Sequence, residues 1–313
     1  MMMPATMREW PPIRLASGIA NRARADVLLA DRRGEYEAIL NRLRAEGFTS
    51  LTLRELALLY RGKGSMPKRL VVLRHDIDTD PDYALVWLAL EQKYGFTASY
   101  YFRHRTADVE LMQHIERHGS EASYHFEELA TVARRHGLWD GPVTDSILTE
   151  ARCEFEHNFC ALRAKSMLPL QTVASHGDFV NRRLGITNCA ILECDELRTR
   201  LGIIAEAYDR GIVELFDARI SDTMGSQRWR WSSIASSSRA NGTVLGDGSC
   251  PDPSRLIENG ALVLQILTHP RHWRANIICN LSEDFDRLLM GCLAWAGWPA
   301  GRLAAQPMRG PAA

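Results

Sequence analysis

The chain has 313 residues, 38 of them basic and 38 acidic, so its formal net charge is zero. Proteins that bind nucleic acid or anionic membranes usually carry a basic excess, and this balance argues against both classes of partner. No apolar run approaches the roughly 18 residues of a membrane span, and residues 1–30 contain no signal-peptide core. These features predict a cytoplasmic protein without membrane insertion. The seven scattered cysteines form no C-x-x-C pair, so neither a disulfide framework nor a zinc–thiolate site is predicted.

Helical and extended segments alternate along the chain. Helices are predicted over residues 35–48 and 49–60, with Ser50 or Thr52 capping the second. The later strands are predicted at 70–74, 96–102, 120–125, 171–177 and 261–269, with strand–turn units at 202–209 and 211–218. The later helices are predicted at 80–95, opened by an Asp80 cap, at 108–119, at 145–165 and at 282–298, capped by Ser282. Such alternation is typical of a parallel sheet, either open or closed into a barrel.

No repeat or linker divides the chain, which predicts a single α/β domain. Its boundaries are placed at residues 70–300, with a partly helical N-terminal extension at 1–69 and a C-terminal tail at 301–313. The stretch from 221 to 253, which contains R-W-R-W, is rich in polar, Gly and Ser residues and is predicted to be a loop.

Polar side chains gather where the predicted strands end. They are His75, Asp76 and Asp78 after the first strand, His125 and His176 after two later strands, and His269 after the last. In parallel α/β folds, reactive groups collect at the carboxyl ends of strands, so these side chains are expected to share one mouth. A single strand-end histidine is more often structural, but several coinciding strand ends favour a functional site.

The residue types indicate metal-assisted hydrolysis. Asp76 and Asp78, at i and i+2 on an extended segment, point the same way, and a divalent cation offsets their repulsion. Aspartate oxygens with neutral imidazoles suit Zn²⁺, with Co²⁺, Ni²⁺ or Fe²⁺ as alternatives. Such a metal lowers the pKa of bound water to about 7, and a carboxylate base with a histidine acid would complete amide or ester hydrolysis.

Six segments between residues 70 and 273 resemble the polysaccharide deacetylase superfamily, carbohydrate esterase family four, and most closely its divergent H-D-x-D branch. The segments are LRHDIDTDPDYAL, TASYYFR, HGSEASYHFEEL, SHGD, SDTMGSQRW and LTHPRHW. The resemblance implies a distorted, incomplete (β/α) barrel and an enzyme that removes acetyl groups from N-acetylated sugars.

The resemblance also implies roles for the residues of its first two motifs. Asp76 falls on the base of the first motif, whereas the strict metal position falls on Ile77, so Asp78 is expected to be the ligand. In the second motif His125 keeps the first metal histidine, and Leu129 replaces the second.

The resemblance implies two further roles, a third metal ligand and a general acid. His176 is expected to complete the metal set with Asp78 and His125, with Glu127 or Glu128 as the alternative third ligand. His269, in the intact L-x-H motif, is the expected general acid.

A predicted loop supplies Asp222, Arg228 and Trp229 as candidate substrate-binding residues. An aromatic face and a forked guanidinium suit a sugar with hydroxyl or phosphate groups. A packed tryptophan beside a surface arginine is an equally weighted alternative.

Together these features predict a metal-dependent N-deacetylase that acts on a small-molecule or oligosaccharide substrate. A cytoplasmic location would favour a nucleotide-linked sugar or an intermediate of lipopolysaccharide or other surface-polysaccharide synthesis. A catalytically silent barrel that binds a carbohydrate or a partner protein is the alternative, and metal-free lyase or epimerase chemistry also stays open. No particular oligomeric state is favoured.

Overall fold

The computed structural model describes residues 24–222, 229–234, 253–258 and 260–298. Its centre is a nine-stranded sheet in the order β6-β5-β4-β3-β2-β9-β7-β8, with β1 paired to β2 beside this path. The strands are β1 (Thr49–Ser50), β2 (Leu70–Ile77), β3 (Ala98–Phe102), β4 (Glu121–Phe126), β5 (Thr172–Ser175), β6 (Ala205–Glu206), β7 (Ala218–Asp222), β8 (Trp229–Ile234) and β9 (Val263–Thr268).

Every strand pair is parallel except β7–β8, which is antiparallel. Among the described strands, β6 and β8 end the sheet and do not pair with each other. The sheet curls into a half-barrel that stays open between β6 and β8. The predicted distorted, incomplete (β/α) barrel is confirmed.

Helices flank the sheet on both faces. They are α1 (Arg33–Ala45), α2 (Leu53–Arg61), α3 (Tyr83–Tyr94), α4 (Val109–Arg117), α5 (Glu128–Arg135), α6 (Asp145–Ser166), α7 (Phe179–Leu184), α8 (Asp195–Leu201), α9 (Arg210–Val213), α10 (Pro253–Glu258) and α11 (Ile277–Ala296). Thr52 caps α2 in a reciprocal capping box with Glu55. Of the two predicted caps, Ser50 and Thr52, the second is therefore confirmed. No helix in the described ranges is long and apolar enough to cross a membrane.

The two faces of β2 separate its polar residues. Successive side chains of a strand point to opposite faces. Val71, Leu73 and Ile77 pack into the large core beneath the helices, whereas Leu70 and Val72 pack into a smaller core inside the barrel. The alternation sends His75 outward, towards the helices, and sends Arg74 and Asp76 inward.

His75 consequently does not join the mouth that was predicted for it. Its ring is fully buried and stacks on Trp87, with the ring centroids 4.3 Å apart. Its Nδ1 lies 2.6 Å from the Thr268 hydroxyl, and its Nε2 lies 2.6 Å from a carboxylate oxygen of Glu91. The prediction that His75 belongs to the site is therefore wrong, because the strand period places it on the other face.

Part of the predicted N-terminal extension packs on the same core as the barrel. Tyr36, Leu40 and Leu43 of α1 are fully buried in the large core, and β1 extends the sheet beside β2. The segment from α1 to β1 thus supports the strand that carries the site.

Two of the predicted helix caps are wrong. Asp80 does not cap α3: its carboxylate makes a paired contact with Arg274, at 2.6 and 2.7 Å, and the helix starts three residues later. The last helix begins at Ile277 with Asn276 as its cap, so Ser282 lies inside it and bonds back to the Cys279 carbonyl.

Two segments differ from their predicted secondary structure. The strand predicted at 211–218 is largely the short helix α9 and a turn, and β7 begins only at its last residue. The R-W-R-W run, predicted as loop, forms the antiparallel strand β8. Its polar composition hides the strand, because β8 lies at the edge of the sheet and needs only one apolar face.

Candidate active site

The carboxyl ends of the parallel strands meet at a cleft with a volume of about 340 Å³. Its walls bring together residues from six strand ends and from α11. The lining residues are Asp76, Asp78, His125, Ser175, His176, Gly177, Tyr208, Ser221, Leu267, His269 and Arg287. All five predicted catalytic and metal-binding residues therefore face one space.

Asp78, His125 and His176 form a compact set of three potential ligands. One ligand atom from each lies within 4.8 Å of the other two. His125 Nε2 is 3.4 Å from Asp78 Oδ1, and His176 Nε2 is 3.6 Å from the same oxygen. Two strand ends and the residue after β2 thus converge on a single carboxylate oxygen.

The hydrogen bonds around this set leave its inner atoms free. His125 Nδ1 lies 2.9 Å from the Ala174 carbonyl oxygen, which can only accept, so Nδ1 carries the proton and a neutral ring keeps the Nε2 lone pair. Asp78 Oδ1 is buried and has no hydrogen-bond partner in the described structure. An orphaned carboxylate oxygen facing two imidazole nitrogens is a donor set that a divalent cation satisfies.

The charges at the cleft favour the ligand forms of these groups. Burial alone would raise the pKa of Asp78, but His176 and His125 lower it well below its ordinary value, so Asp78 is ionised. Burial and the nearby Arg103 charge lower the pKa of His176, which keeps its imidazole neutral at pH 7. An ionised carboxylate with neutral imidazoles is the protonation state that metal binding needs. The residues present therefore fit a divalent metal.

Asp76 is held by an arginine that comes from its own strand. Arg74 is fully buried and donates from Nε and Nη2 to the two carboxylate oxygens of Asp76, each at 2.8 Å. Burial raises the pKa of Asp76, but the charges of Arg74, His125 and His269 outweigh it, so the net pKa lies below the ordinary value. Asp76 is thus an oriented, ionised carboxylate that can accept a proton.

His269 faces Asp76 across the cleft, with its Nε2 4.0 Å from Asp76 Oδ2. On the other side of the ring, Nδ1 donates to Asp222 Oδ1 at 2.7 Å. Burial lowers the pKa of His269, but Asp222 more than offsets it and the net effect raises the pKa to about 9. His269 is therefore a cation at neutral pH and can donate a proton into the cleft.

Asp222 differs from its predicted role as a substrate-binding residue. It is 6% exposed, and its oxygens accept hydrogen bonds from the His269 backbone, from His272 at 2.8 Å and from the Trp273 indole at 2.6 Å. With both oxygens occupied, it positions His269 instead.

Of the other two predicted substrate-binding residues, Trp229 lies in the described structure and is not among the residues that line the cleft. Trp229 is 2% exposed and packs edge-on against Trp273, with the ring centroids 5.9 Å apart, so the packed alternative describes it. Arg228 lies outside the described residues.

The two alternative third ligands have different surroundings. Glu128 is buried behind the sheet, where it accepts hydrogen bonds from Tyr124 and from Asn158, the latter at 3.0 Å. Burial raises the pKa of Glu128 to about 7. Glu127 lies beside the cleft, with Oε2 3.1 Å from His176 Nδ1.

Glu127 is also bound by Arg103, whose Nη2 donates to both of its oxygens at 2.6 and 2.7 Å. Of the three alternatives for the third ligand, His176, Glu127 and Glu128, His176 is the one that groups with Asp78 and His125. Glu127 is placed to orient that histidine.

Sequence reasoning missed three of these supporting residues. Arg74 had a usable signal, since it stands two residues before Asp76 and a strand points both the same way. Arg103 and His272 had none, because their contacts with Glu127 and Asp222 join segments 24 and 50 residues apart.

No family model and no curated protein matches the chain. Solved structures do match it. One is the Streptococcus pyogenes deacetylase PplD in complex with acetate, at 13% identity and a TM-score of 0.43, covering 83% of this chain and 86% of that one. Another is the BpsB deacetylase domain from Bordetella bronchiseptica, at 12% identity and a TM-score of 0.39, covering 51% of this chain and 72% of that one.

The chain is similar to deacetylases. A third match, BA3943 from Bacillus anthracis, is described as a pseudoenzyme of carbohydrate esterase family four, the family that the sequence motifs resemble. It is 11% identical with a TM-score of 0.36, and the match covers 79% of this chain and 69% of that one. With TM-scores below 0.5 these likenesses are distant, so the functional interpretation rests on the geometry of the cleft.

Proposed function

We propose that this protein is a metal-dependent hydrolase that removes an acyl group from an N-acylated sugar, with acetyl as the proposed acyl group. The observation that carries the proposal is the opposition of an ionised Asp76 and a protonated His269 across 4.0 Å, beside the three-ligand set. A base, an acid and a cation site around one cleft are the parts that amide hydrolysis needs.

Asp78, His125 and His176 would hold the metal. When bound there, a divalent ion such as Zn²⁺ would supply an acidified water and would polarise the acyl carbonyl. Glu127 holds His176 from behind and the Ala174 carbonyl holds His125, so both imidazoles keep their Nε2 atoms directed inward.

Asp76 acts as the general base. It accepts a proton from the water that attacks the acyl carbon, while the two Arg74 hydrogen bonds fix the orientation of its carboxylate. The same hydrogen bonds keep Asp76 ionised between turnovers.

His269 acts as the general acid. It gives the proton on Nε2 to the leaving amine nitrogen, and Asp222 holds the ring through Nδ1 and stabilises its charged form. This pairing gives the acid and the base opposite charges at neutral pH, so both are in their working state together.

The cleft volume of about 340 Å³ is near the lower end of the roughly 300–1,000 Å³ range of small-molecule sites. That size suits one sugar ring better than a long oligosaccharide. A single N-acylated sugar, free or carried by a nucleotide or a biosynthetic intermediate, is the proposed substrate class.

The first experiment is elemental analysis of tag-free protein purified without chelators. We expect near-stoichiometric Zn²⁺, Co²⁺, Ni²⁺ or Fe²⁺ in the wild type, and its loss in Asp78→Asn and His125→Ala. Asp140→Asn and His136→Ala are matched controls, because both residues lie away from the cleft in surface ion pairs with Arg183 and Glu150. Release of acetate from N-acetylated monosaccharides is then measured on the metal-loaded protein.

Two outcomes would contradict the proposal. Folded wild-type protein that neither contains nor takes up Zn²⁺ would exclude a metallohydrolase and favour metal-free lyase or epimerase chemistry. Protein that binds metal through Asp78 and His125 but releases no acyl group from any N-acylated sugar would favour the silent carbohydrate-binding barrel.

A further inference from the structure

A second polar layer lies inside the barrel, one step below the catalytic carboxylates. Arg74 on β2, Arg219 on β7 and Gln265 on β9 are all at most 4% exposed. Gln265 lies in register with Arg219 on one side and with Val72 on the other, so the three inward side chains are neighbours. This layer, Arg74–Arg219–Gln265, is not used by the mechanism above apart from the bond between Arg74 and Asp76.

Arg219 is a buried cation without an ion pair in the described part of the chain. Its Nε donates to Gln265 Oε1 at 2.7 Å, and its guanidinium carbon lies 5.2 Å from the centre of the Tyr208 ring. Glu206, whose charge raises the pKa of Arg219, already accepts hydrogen bonds from the backbone of Ser175 and Tyr208. A buried charge paired only with a neutral amide and a ring costs folding free energy, which an anion would offset.

The unsatisfied atoms of this layer are all donors. Arg74 uses Nε and Nη2 on Asp76 and leaves Nη1 buried with no partner. Gln265 leaves Nε2 buried with no partner, since its oxygen is taken by Arg219. An Arg74 nitrogen and an amide nitrogen that lack acceptors, beside a second guanidinium without an ion pair in the described structure, match a carboxylate or phosphate group, which offers acceptors only.

Tyr208 connects this layer to the cleft. Its ring lies under both guanidiniums, with the Arg74 carbon 4.7 Å from the ring centre, and the same residue lines the cleft beside Ser221. Asp76, Ser221 and Leu267 line the cleft, and each follows a residue of the layer by two positions on the same strand face, so the layer lies directly beneath the cleft.

We propose that the Arg74–Arg219–Gln265 layer binds the oxyanion of an acidic substrate, a carboxylate or a phosphate ester. That this anion is part of the substrate rests on the function proposed above, whereas anion binding by itself does not. Because Arg74 contacts Asp76 as well, the anionic group and the scissile amide must be close, as on neighbouring carbons of one sugar ring. A 1-phosphate of an N-acylated 2-amino sugar and an N-acylated 4-amino uronic acid both have this arrangement.

Calorimetric titration with inorganic phosphate at constant ionic strength tests the anion site without turnover. The wild type and Arg210→Met, a control at an exposed arginine of a surface ion pair, are expected to bind phosphate equally. Arg219→Met is expected to bind at least tenfold more weakly. It is also expected to melt at a higher temperature without phosphate, because it removes an unpaired buried charge, and this result would show that the variant is folded.

Asp78→Asn separates this site from the metal ligands. Phosphate binding that survives in Asp78→Asn and is lost in Arg219→Met supports the inference, even for a protein that proves inactive. Binding that survives in Arg219→Met, or no binding by the wild type, overturns it. Loss in Asp78→Asn alone would place the anion on the metal, which contradicts the inference and leaves the proposed function standing.

A second titration with glucuronate distinguishes the two sources of the anion. Tighter binding of glucuronate than of phosphate would identify a carboxylate substrate, and the reverse would identify a phosphate ester. With an active enzyme, Arg219→Met is expected to lower kcat/KM at least tenfold for the acidic N-acetyl sugar and to leave that for neutral N-acetylglucosamine within twofold. Equal losses for both sugars would contradict the assignment.

Discussion

Strand β2 carries two buried polar clusters, one on each face, and they differ in how completely they are paired. On the outer face both nitrogens of His75 have partners, Thr268 and Glu91. Glu91 also accepts the hydroxyl groups of Tyr36, at 2.6 Å, and Tyr100, at 2.5 Å. The outer cluster needs nothing from outside the protein.

On the inner side two buried atoms have no hydrogen-bond partner in the described structure, namely Asp78 Oδ1 and Arg74 Nη1. Native proteins seldom leave buried polar atoms unpaired, so an unpaired set points to a missing ligand. Neighbouring residues of β2 thus have two different functions. Those on the outer face stabilise the fold, and those on the inner face are available to bind a ligand in the cleft.

The largest effect on function is expected for Asp76→Asn. Removing the base should lower kcat/KM by about 10³-fold, within the range that positioned acids and bases contribute. Metal content should stay unchanged, because Asp76 is not in the ligand set. The check is initial rates of acetate release, with Asp140→Asn as control. Activity within tenfold of the wild type would assign the base to another residue.

The largest effect on stability is expected on the outer face, for Glu91→Ala. The change leaves His75, Tyr36 and Tyr100 buried without their shared acceptor. Loss of one partner from a buried charged network costs about 3–5 kcal/mol, measured as the free energy of unfolding in urea. Turnover per folded molecule should be nearly unchanged. A loss below about 1 kcal/mol would mean that water or a rearranged side chain replaces Glu91.

Asp222→Asn should shift the pH dependence of kcat/KM, whereas it should change the rate at low pH much less. The acid must be protonated, and the raised His269 pKa of about 9 keeps it so through neutral pH, with activity falling as pH rises through that value. Without the carboxylate, the largest cause of the raised pKa of His269 is lost while burial still lowers it, so the alkaline limb of kcat/KM should move to lower pH. An unmoved limb would show that His269 is not the titrating acid.

The smallest effect on stability is expected for Asp78→Asn in protein from which metal has been removed with a chelator. Because Asp78 Oδ1 has no hydrogen-bond partner, whereas Glu91 is a shared acceptor, the free energy of unfolding should change less than in Glu91→Ala. Added Zn²⁺ should raise the melting temperature of the wild type and leave that of the variant unchanged, since a ligand stabilises only the state that binds it. A large loss of stability in the chelated variant would mean that Asp78 is a structural residue like Glu91.

The sequence predicted the sheet and its strand ends because helix–strand alternation is a local pattern. The positions of Asp76, His125, His176 and His269 at one edge follow from that pattern alone. The face taken by His75 was predictable too, since it is one residue from Asp76 and must point the opposite way.

The partners of the site residues could not be predicted in the same way. Asp222 contacts residues 47 and 50 positions away in the chain, and only the folded sheet places them side by side. The strand β8 escaped prediction because a polar edge strand lacks the apolar run that identifies central strands. The Arg219–Gln265 contact joins two strands whose register is set by the whole sheet.

The strict alternation along β2 also limits how this chain can change over evolutionary time. Substitutions at single positions disturb one face or the other, but a one-residue insertion or deletion before Arg74 would exchange the faces of every residue that follows. His75 would then enter the cleft and Asp76 would press into the aromatic core beneath the helices. Length changes in this strand should therefore be far less tolerated than replacements, and loops remote from β2 are where insertions should accumulate.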